Sequence, residues 1–282
     1  MLKTPFLLRS CRTALNVLGR RSYSNRRLEG KNVLITGASA GIGEACAREF
    51  AKEGSNLILA ARRADRLELL KQELSQKHAG IQIHTLSLDV REKKNIDKAV
   101  AELPTKDVDV LVNNAGLVIG MDHLDKVSEE AYDTMFDTNV KGLVFLTQAL
   151  LPHMKARQAG HIINLGSVAV MQAAEFTAVG NKSRKMRKED LSLLPASKFA
   201  VEAITRALLY ELVDTPIRVS QVCPGMVNTE FSTIRFGGDK KKADEVYKGL
   251  QPLVGQDIGT SLKIYMVCVD CTSPQTQFSY DS

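Results

Sequence analysis

Thr36-Gly37-Ala38-Ser39-Ala40-Gly41-Ile42-Gly43 joins an apolar run, Asn32 to Thr36, directly to an amphipathic stretch that opens at Ile42. Gly37 permits a tight turn, Gly41 lets bare backbone approach a ligand, and Gly43 lets the following helix pack closely. A helix that starts there offers free N–H groups and the positive end of its dipole, so the turn suits a diphosphate.

Outward from this turn, short β-branched runs alternate with longer helical patterns. The expected strands are Asn32 to Thr36, Asn56 to Ala61, Ile81 to Ser87, Val108 to Asn113, His161 to Leu165 and Ile217 to Val222. The expected helices are Ile42 to Glu53, Ala64 to Lys77, Lys93 to Glu102, Ser128 to Met154 with an end or kink near Pro152, and Ala196 to Val213. This order predicts an α/β fold: one Rossmann-type, doubly wound parallel sheet flanked by helices, a single domain over residues 29–267. At 282 residues and 44% apolar content the chain is long enough for one such buried sheet and short for two domains.

Two regions break the pattern. Residues 170–195 contain the polar run Asn181-Lys182-Ser183-Arg184-Lys185 and lack apolar periodicity, so they read as an irregular, exposed insertion. Residues 268–282 are rich in Ser, Thr and Gln and read as an irregular tail with no seventh strand. Cys268 and Cys271 have no second pair or nearby His to complete four ligands, so no metal site is expected. Five cysteines without a regular framework fit a reducing compartment.

The formal net charge is +6, but Lys3, Arg9, Arg12, Arg20, Arg21, Arg26 and Arg27 all fall in the acid-free first 27 residues, leaving the remainder at −1. A near-neutral body argues against nucleic acid as a partner. Wound as a helix, the leader sets Leu7, Cys11, Leu15 and Leu18 opposite Arg9, Arg12, Asn16 and Arg20, as in a mitochondrial presequence over residues 1–28; a basic tail ahead of a cytoplasmic enzyme is the alternative. No run approaches the eighteen or so consecutive apolar residues of a membrane span, and no membrane partner is expected.

The three-residue gap between Gly37 and Gly41 resembles that of the short-chain dehydrogenases/reductases, and further matches follow in order over about residues 30 to 266. Leu88-Asp89-Val90 resembles the segment whose acid contacts adenine. Asn113-Asn114-Ala115-Gly116 resembles the end of the fourth strand, and Pro224-Gly225-Met226-Val227-Asn228-Thr229 the loop beside the nicotinamide. The resemblance implies Asn139, Ser167 and Lys198 as catalytic residues. It implies a cofactor site of Gly37, Ser39, Gly41, Ile42, Gly43, Arg62, Arg63, Asp89, Asn113, Ala115, Lys198, Pro224, Gly225, Val227 and Thr229. Within such a family a carboxylate after the second strand accepts from the ribose 2′-hydroxyl, whereas a cation holds a 2′-phosphate. Ala61-Arg62-Arg63 presents two guanidiniums there and Ser39 adds a hydroxyl, so the expected cofactor is NADP.

The resemblance also implies a tyrosine four residues before Lys198, acting as the general acid/base with its pKa lowered by that lysine. This chain has Leu194. Tyr210, twelve residues after Lys198, would stand about 18 Å along a continuous helix and cannot replace it. Residues between Ala169 and Ala196 read as foreign to the pattern, as a retained intron would. Leu57 to Arg63, Ser197 to Val201, Thr229 to Ser232 and Val246 to Leu253 are similar to the NADP-dependent 3-hydroxy acid dehydrogenases. That implies hydride transfer on a small hydroxy acid such as serine or allo-threonine, a loop over Met226 to Lys242 closing on the substrate, Arg235 or a nearby Lys at its carboxylate, and a tetramer built through the helices Ser128 to Met154 and Ala196 to Val213. An inactive NADP-binding relative is the alternative.

Overall fold

The computed structural model describes residues 27–120, 124–168, 193–245, 247–248, 251–268 and 278–280. Residues 1–26 of the leader, nearly all of the 170–195 insertion, and Cys271 therefore lie outside the described residues, whereas Leu28, the last residue of the expected leader, is buried in the core. In chain order the elements are β1 (Asn32–Thr36), α1 (Gly41–Lys52), β2 (Asn56–Ala61), α2 (Ala64–Lys77), β3 (Ile83–Ser87), α3 (Lys93–Ala101) and β4 (Val110–Asn113). Then come α4 (Glu129–Phe136), a π-helical turn at Asp137–Lys141, α5 (Gly142–Arg157), β5 (His161–Leu165), α6 (Leu193–Glu211) and β6 (Arg218–Cys223). The last are β7 (Val227–Asn228), α7 (Glu230–Arg235), α8 (Lys240–Glu245), β8 (Leu253–Val254), α9 (Gly255–Cys268) and β9 (Phe278–Tyr280).

The main sheet is parallel throughout, in the order β3-β2-β1-β4-β5-β6-β9. Successive residues of each strand face opposite sides, and both sides are apolar. Val33, Ile35, Leu57 and Leu59 pack under α1, α2 and α9, with Phe50, Leu67 and Leu262. Leu34, Ile58, Leu111 and Ile162 pack the other way, against Ile96, Leu146 and Leu150. Burial on both faces is why these strands read as continuous apolar runs rather than alternating ones. Strand order reverses at β1, whose neighbours are β2 and β4, so a crevice opens beyond the carboxyl ends of β1 and β4.

The structure corrects four expectations. The tail does supply a seventh strand: β9 pairs with β6 through Gln221 with Phe278, Val222 with Ser279 and Cys223 with Tyr280. Its three residues are too short for periodicity to register, and Cys268 belongs to α9 rather than to an irregular tail. The helix expected over 128–154 is broken not at Pro152, which lies inside α5, but at the π-helical turn of Asp137–Lys141. Pro152 costs one backbone hydrogen bond, and the surrounding helix is held by buried Leu150, Leu151 and Met154. The insertion ends earlier than residue 195, because Leu193, Leu194 and Pro195 already form the first turn of α6, where a proline N–H would have no intrahelical partner in any case. The stretch Met226 to Lys242 is built from β7, α7 and the start of α8 rather than from loop alone.

Helix α9 has no counterpart among the helices expected from the sequence. It lies against α1 because Gly255 and Gly259, one turn apart, present bare backbone: a Cβ on Gly255 would stand 2.9 Å from the Gly41 oxygen. Buried Glu49 of α1 fixes the pairing through Lys263 at 3.0 Å and Gln256. No helix among the described residues is long and apolar enough to cross a membrane.

Phe50 is fully buried, whereas Tyr210 is 81% exposed. Phe50→Ala is expected to destabilise the chain by about 3–5 kcal/mol and Tyr210→Ala by less than about 0.5 kcal/mol in urea titrations of the isolated protomer. Equal effects would contradict the assignment of the core.

Candidate active site

Thr36 ends β1 and organises the crevice. Its Oγ1 accepts from the backbone N–H of Asn114 and of Ala115, both at 3.0 Å, and donates to the Val112 carbonyl at 3.3 Å. Asn114 returns the link by donating Nδ2 to the Thr36 carbonyl at 2.8 Å. The ends of β1 and β4 are thus clamped side by side, and the chain must leave β1 sharply. Gly37 does so at φ +67°, with no room for a side chain: a Cβ would stand 2.8 Å from Asn114 Nδ2.

Ala40 precedes α1 in extended conformation and makes no side-chain cap, unlike Ser128 before α4 and Thr229 before α7. The leading N–H groups of α1 are therefore not satisfied by a capping side chain. They open on a cavity of about 350 Å³ lined by Gly37, Ser39, Gly41 and Ile42. Along the same cavity lie Arg62, Arg63 and Asp89 on one side, and Ala115, Ser167, Leu194, Lys198, Pro224, Gly225, Val227 and Thr229 on the other. An uncapped helix end, bare glycine backbone and a run of cations at the β2 end fit a dinucleotide with an additional phosphate.

Asp89 is held as a carboxylate. Arg91 grips it with Nε at 3.0 Å and a terminal nitrogen at 2.7 Å, and this guanidinium keeps the carboxyl below its ordinary range. Arg62 is exposed, while Arg63 donates Nε to Ser39 Oγ at 3.2 Å. Arg63 also meets Glu230 of α7 across the cleft mouth, at 2.9 Å.

At the other end, Lys198 is buried and donates Nζ to the Leu165 carbonyl at 2.6 Å. Burial pulls its ammonium down to about 8. Leu194 and Lys198, one turn apart on α6, both line the cavity. Leu194 is buried among Leu117, Val118 and Met135. The group one turn before the lysine is an alkyl chain, which can neither donate nor accept a proton. Ser167 follows β5 at the cavity wall, half-buried.

Three residues expected at the site do not line the cavity. Gly43 acts through the turn: a Cβ there would meet the Gly37 carbonyl oxygen at 2.5 Å. Asn113, expected at the cofactor, points away from it and into the sheet, donating to Thr147 Oγ1 at 3.0 Å and Asn164 Oδ1 at 2.9 Å. Adjacent residues leaving a strand face opposite ways, so Asn114 takes the cleft side and Asn113 the ladder beneath it. Asn139 sits in the π-helical turn and is buried, accepting from the Leu117 N–H at 2.8 Å and donating to the Leu117 carbonyl at 2.9 Å and to Ser197 Oγ at 3.0 Å. It brackets the strand-end loop rather than facing the cavity. Thr36, Ser197 and Glu230 lie within stretches that resemble the family, but the sequence gives none of them a role, because their partners Asn114, Asn139 and Arg63 are distant in the chain.

Residues 31–236 match the family model described as short chain dehydrogenase. The chain is 42% identical over 235 residues to an NADP-dependent 3-hydroxy acid dehydrogenase of Schizosaccharomyces pombe, covering 82% of this chain and 85% of that protein. It is 41% identical over 229 residues to sulfoacetaldehyde reductase 2 of Chromohalobacter salexigens, covering 80% and 84% respectively. Among solved structures it resembles the closed form of a serine dehydrogenase complexed with NADP+, with TM-score 0.73, 37% identity, and 88% of this chain and 94% of that one covered. With a parallel sheet that reverses at β1, a glycine turn over an uncapped helix, and a family match across most of its length, the chain belongs to the short-chain dehydrogenase family.

Proposed function

We propose that this chain binds NADP and is built for hydride transfer on a small, anionic 3-hydroxy acid, with the chemical step impaired by Leu194. The observation that carries the reading is the cavity that joins the Arg62–Arg63 pair and the glycine turn to Ser167 and Lys198. When bound, NADP supplies the hydride acceptor. Arg62 and Arg63 would hold its 2′-phosphate, and the amides of the Gly37–Gly43 turn its diphosphate. Ser167 would hydrogen-bond the substrate oxygen, and Lys198 would place a buried cation beside it.

The relatives named for 3-hydroxy acids and for sulfoacetaldehyde share small substrates that carry an acidic group. Arg235 supports the same substrate class here: it follows Ile234, a cavity-lining residue, and its guanidinium lies 5.9 Å from the ring of Phe231, another. What the chain lacks is a proton carrier at residue 194. Assembly as a tetramer is supported by apolar side chains left exposed on α4 and α6, including Tyr132, Phe199 and Tyr210, and sedimentation at a single protomer mass would refute it. The basic leader supports import into mitochondria; an unprocessed chain in the cytosolic fraction of fractionated cells would refute that.

Restoring the phenol tests the reading of residue 194. Leu194→Tyr is expected to raise NADP-dependent oxidation of serine or 3-hydroxybutyrate by about 10²–10⁴-fold over the parent chain, the range of general acid/base catalysis. Parent activity within tenfold of the variant would contradict it. NADPH is expected to raise the melting temperature of the parent chain, and NADH to do so only at much higher concentration.

Lys198 gives a pH signature. Its folded-state value of about 8 lies below the ordinary 10.5, so between those values the unfolded chain holds the proton that the folded chain has lost. The Lys198 contribution to stability is therefore unfavourable below about 8 and rises with pH through that window. The stability of the parent relative to Lys198→Met should grow by on the order of 3 kcal/mol between pH 7.5 and 10.5 in urea titrations. A flat difference would mean an ordinary lysine.

A further inference from the structure

The carboxylate of Glu230 lies between two guanidiniums that come from the opposite wall of the cleft. Its Oε2 accepts from Arg63 at 2.9 Å and its Oε1 from Arg66 at 2.6 Å. These hydrogen bonds, Arg66 foremost, hold the Glu230 carboxyl below its ordinary range, so it is an anion at neutral pH. Arg63 reaches in addition to Ser39 of the glycine turn at 3.2 Å. Glu230 opens α7, directly after the Pro224–Thr229 segment, and Arg63, Ser39 and Glu230 all line the cavity.

The three charged side chains are each about 40% exposed. Ion pairs this open contribute little to holding a fold, and they exchange readily for a stronger anion. The anion that Arg63 is placed to receive, if the cofactor is NADP, is a 2′-phosphate, a dianion that binds guanidinium with two parallel hydrogen bonds. Glu230 already occupies that guanidinium and sets a negative charge beside it.

We propose that Glu230 is a specificity-determining residue that acts as a built-in competitor for the 2′-phosphate: it satisfies Arg63 and Arg66 in the absence of nucleotide and must surrender Arg63 when a phosphorylated nucleotide enters. The inference rests on the NADP reading. It sets the affinity for phosphorylated nucleotide below what the arginines alone would give. It also ties entry of that phosphate to loss of the Arg63 contact with α7, 167 residues further along the chain, while Arg66 keeps its own hold on Glu230.

Calorimetric titration with adenosine 2′,5′-bisphosphate and with AMP, at physiological salt, tests this without reference to turnover. The bisphosphate should bind Glu230→Gln about three- to tenfold more tightly than the parent chain, the scale of losing one exposed ion pair and one like charge. Glu230→Lys should bind it more tightly again, Glu230→Asp should stay within threefold of the parent, and AMP should change by less than twofold throughout. An unchanged or weaker bisphosphate affinity in both Glu230→Gln and Glu230→Lys would overturn the proposal while leaving the NADP reading intact. A parent chain that shows no preference for the bisphosphate over AMP would instead overturn the NADP reading, and the proposal with it.

Discussion

The clamp between Thr36 and Asn114 is the interaction on which the site depends. Two backbone N–H groups converge on one threonine hydroxyl, and an amide returns to the threonine carbonyl, so the carboxyl ends of β1 and β4 are fixed against each other at the point where the sheet reverses direction. Everything next in the chain follows from that. The backbone must turn immediately, Gly37 takes a conformation that disfavours a side chain, and α1 starts so close to the strand end that its first N–H groups face the crevice. Exposed amides and a dipole end in one place make a site for phosphate without any charged side chain.

Charge is then distributed unevenly around this neutral centre. At the β2 end, Arg62, Arg63 and Arg66 outnumber the Glu230 carboxylate that reaches across the cleft to two of them. At the far end a buried cation, Lys198, is held on the Leu165 carbonyl, with the hydrocarbon of Leu194 one helical turn before it. One cavity thus joins the glycine turn and the arginines to Ser167 and Lys198. The cavity draws on distant parts of the chain: β1, α1 and β2 at one end, β5 and α6 at the other, and the segment after β6 along its side.

Much of this is legible in residue order. Buried parallel strands declare themselves as apolar runs, which is why β1 to β6 stand within two residues of their expected bounds, and three glycines packed between a strand and a helix leave the backbone little choice but a tight turn. The lysine and the leucine before it fall on one face by helical spacing alone. Long-range pairings leave no such trace. Nothing near Glu230 shows that it will meet Arg63, nothing near Glu49 shows that it will anchor α9, and the π-helical turn at Asn139 leaves no mark in apolar periodicity because it interrupts a helix without ending it. Neighbouring side chains on a strand point apart, so either Asn113 or Asn114 must face the cleft, but only the pairing of Thr36 with Asn114 decides which of them does.

Hydrogen exchange at the backbone amides of Gly37 to Gly43, measured with and without NADPH, bears most directly on whether this turn is a phosphate cradle. Amides that receive a diphosphate should exchange at least tenfold more slowly in the presence of nucleotide, while amides at the amino end of β6, such as those of Arg218 and Val219, keep their rates. Exchange at 37–43 that does not respond to saturating NADPH would contradict the assignment of the site.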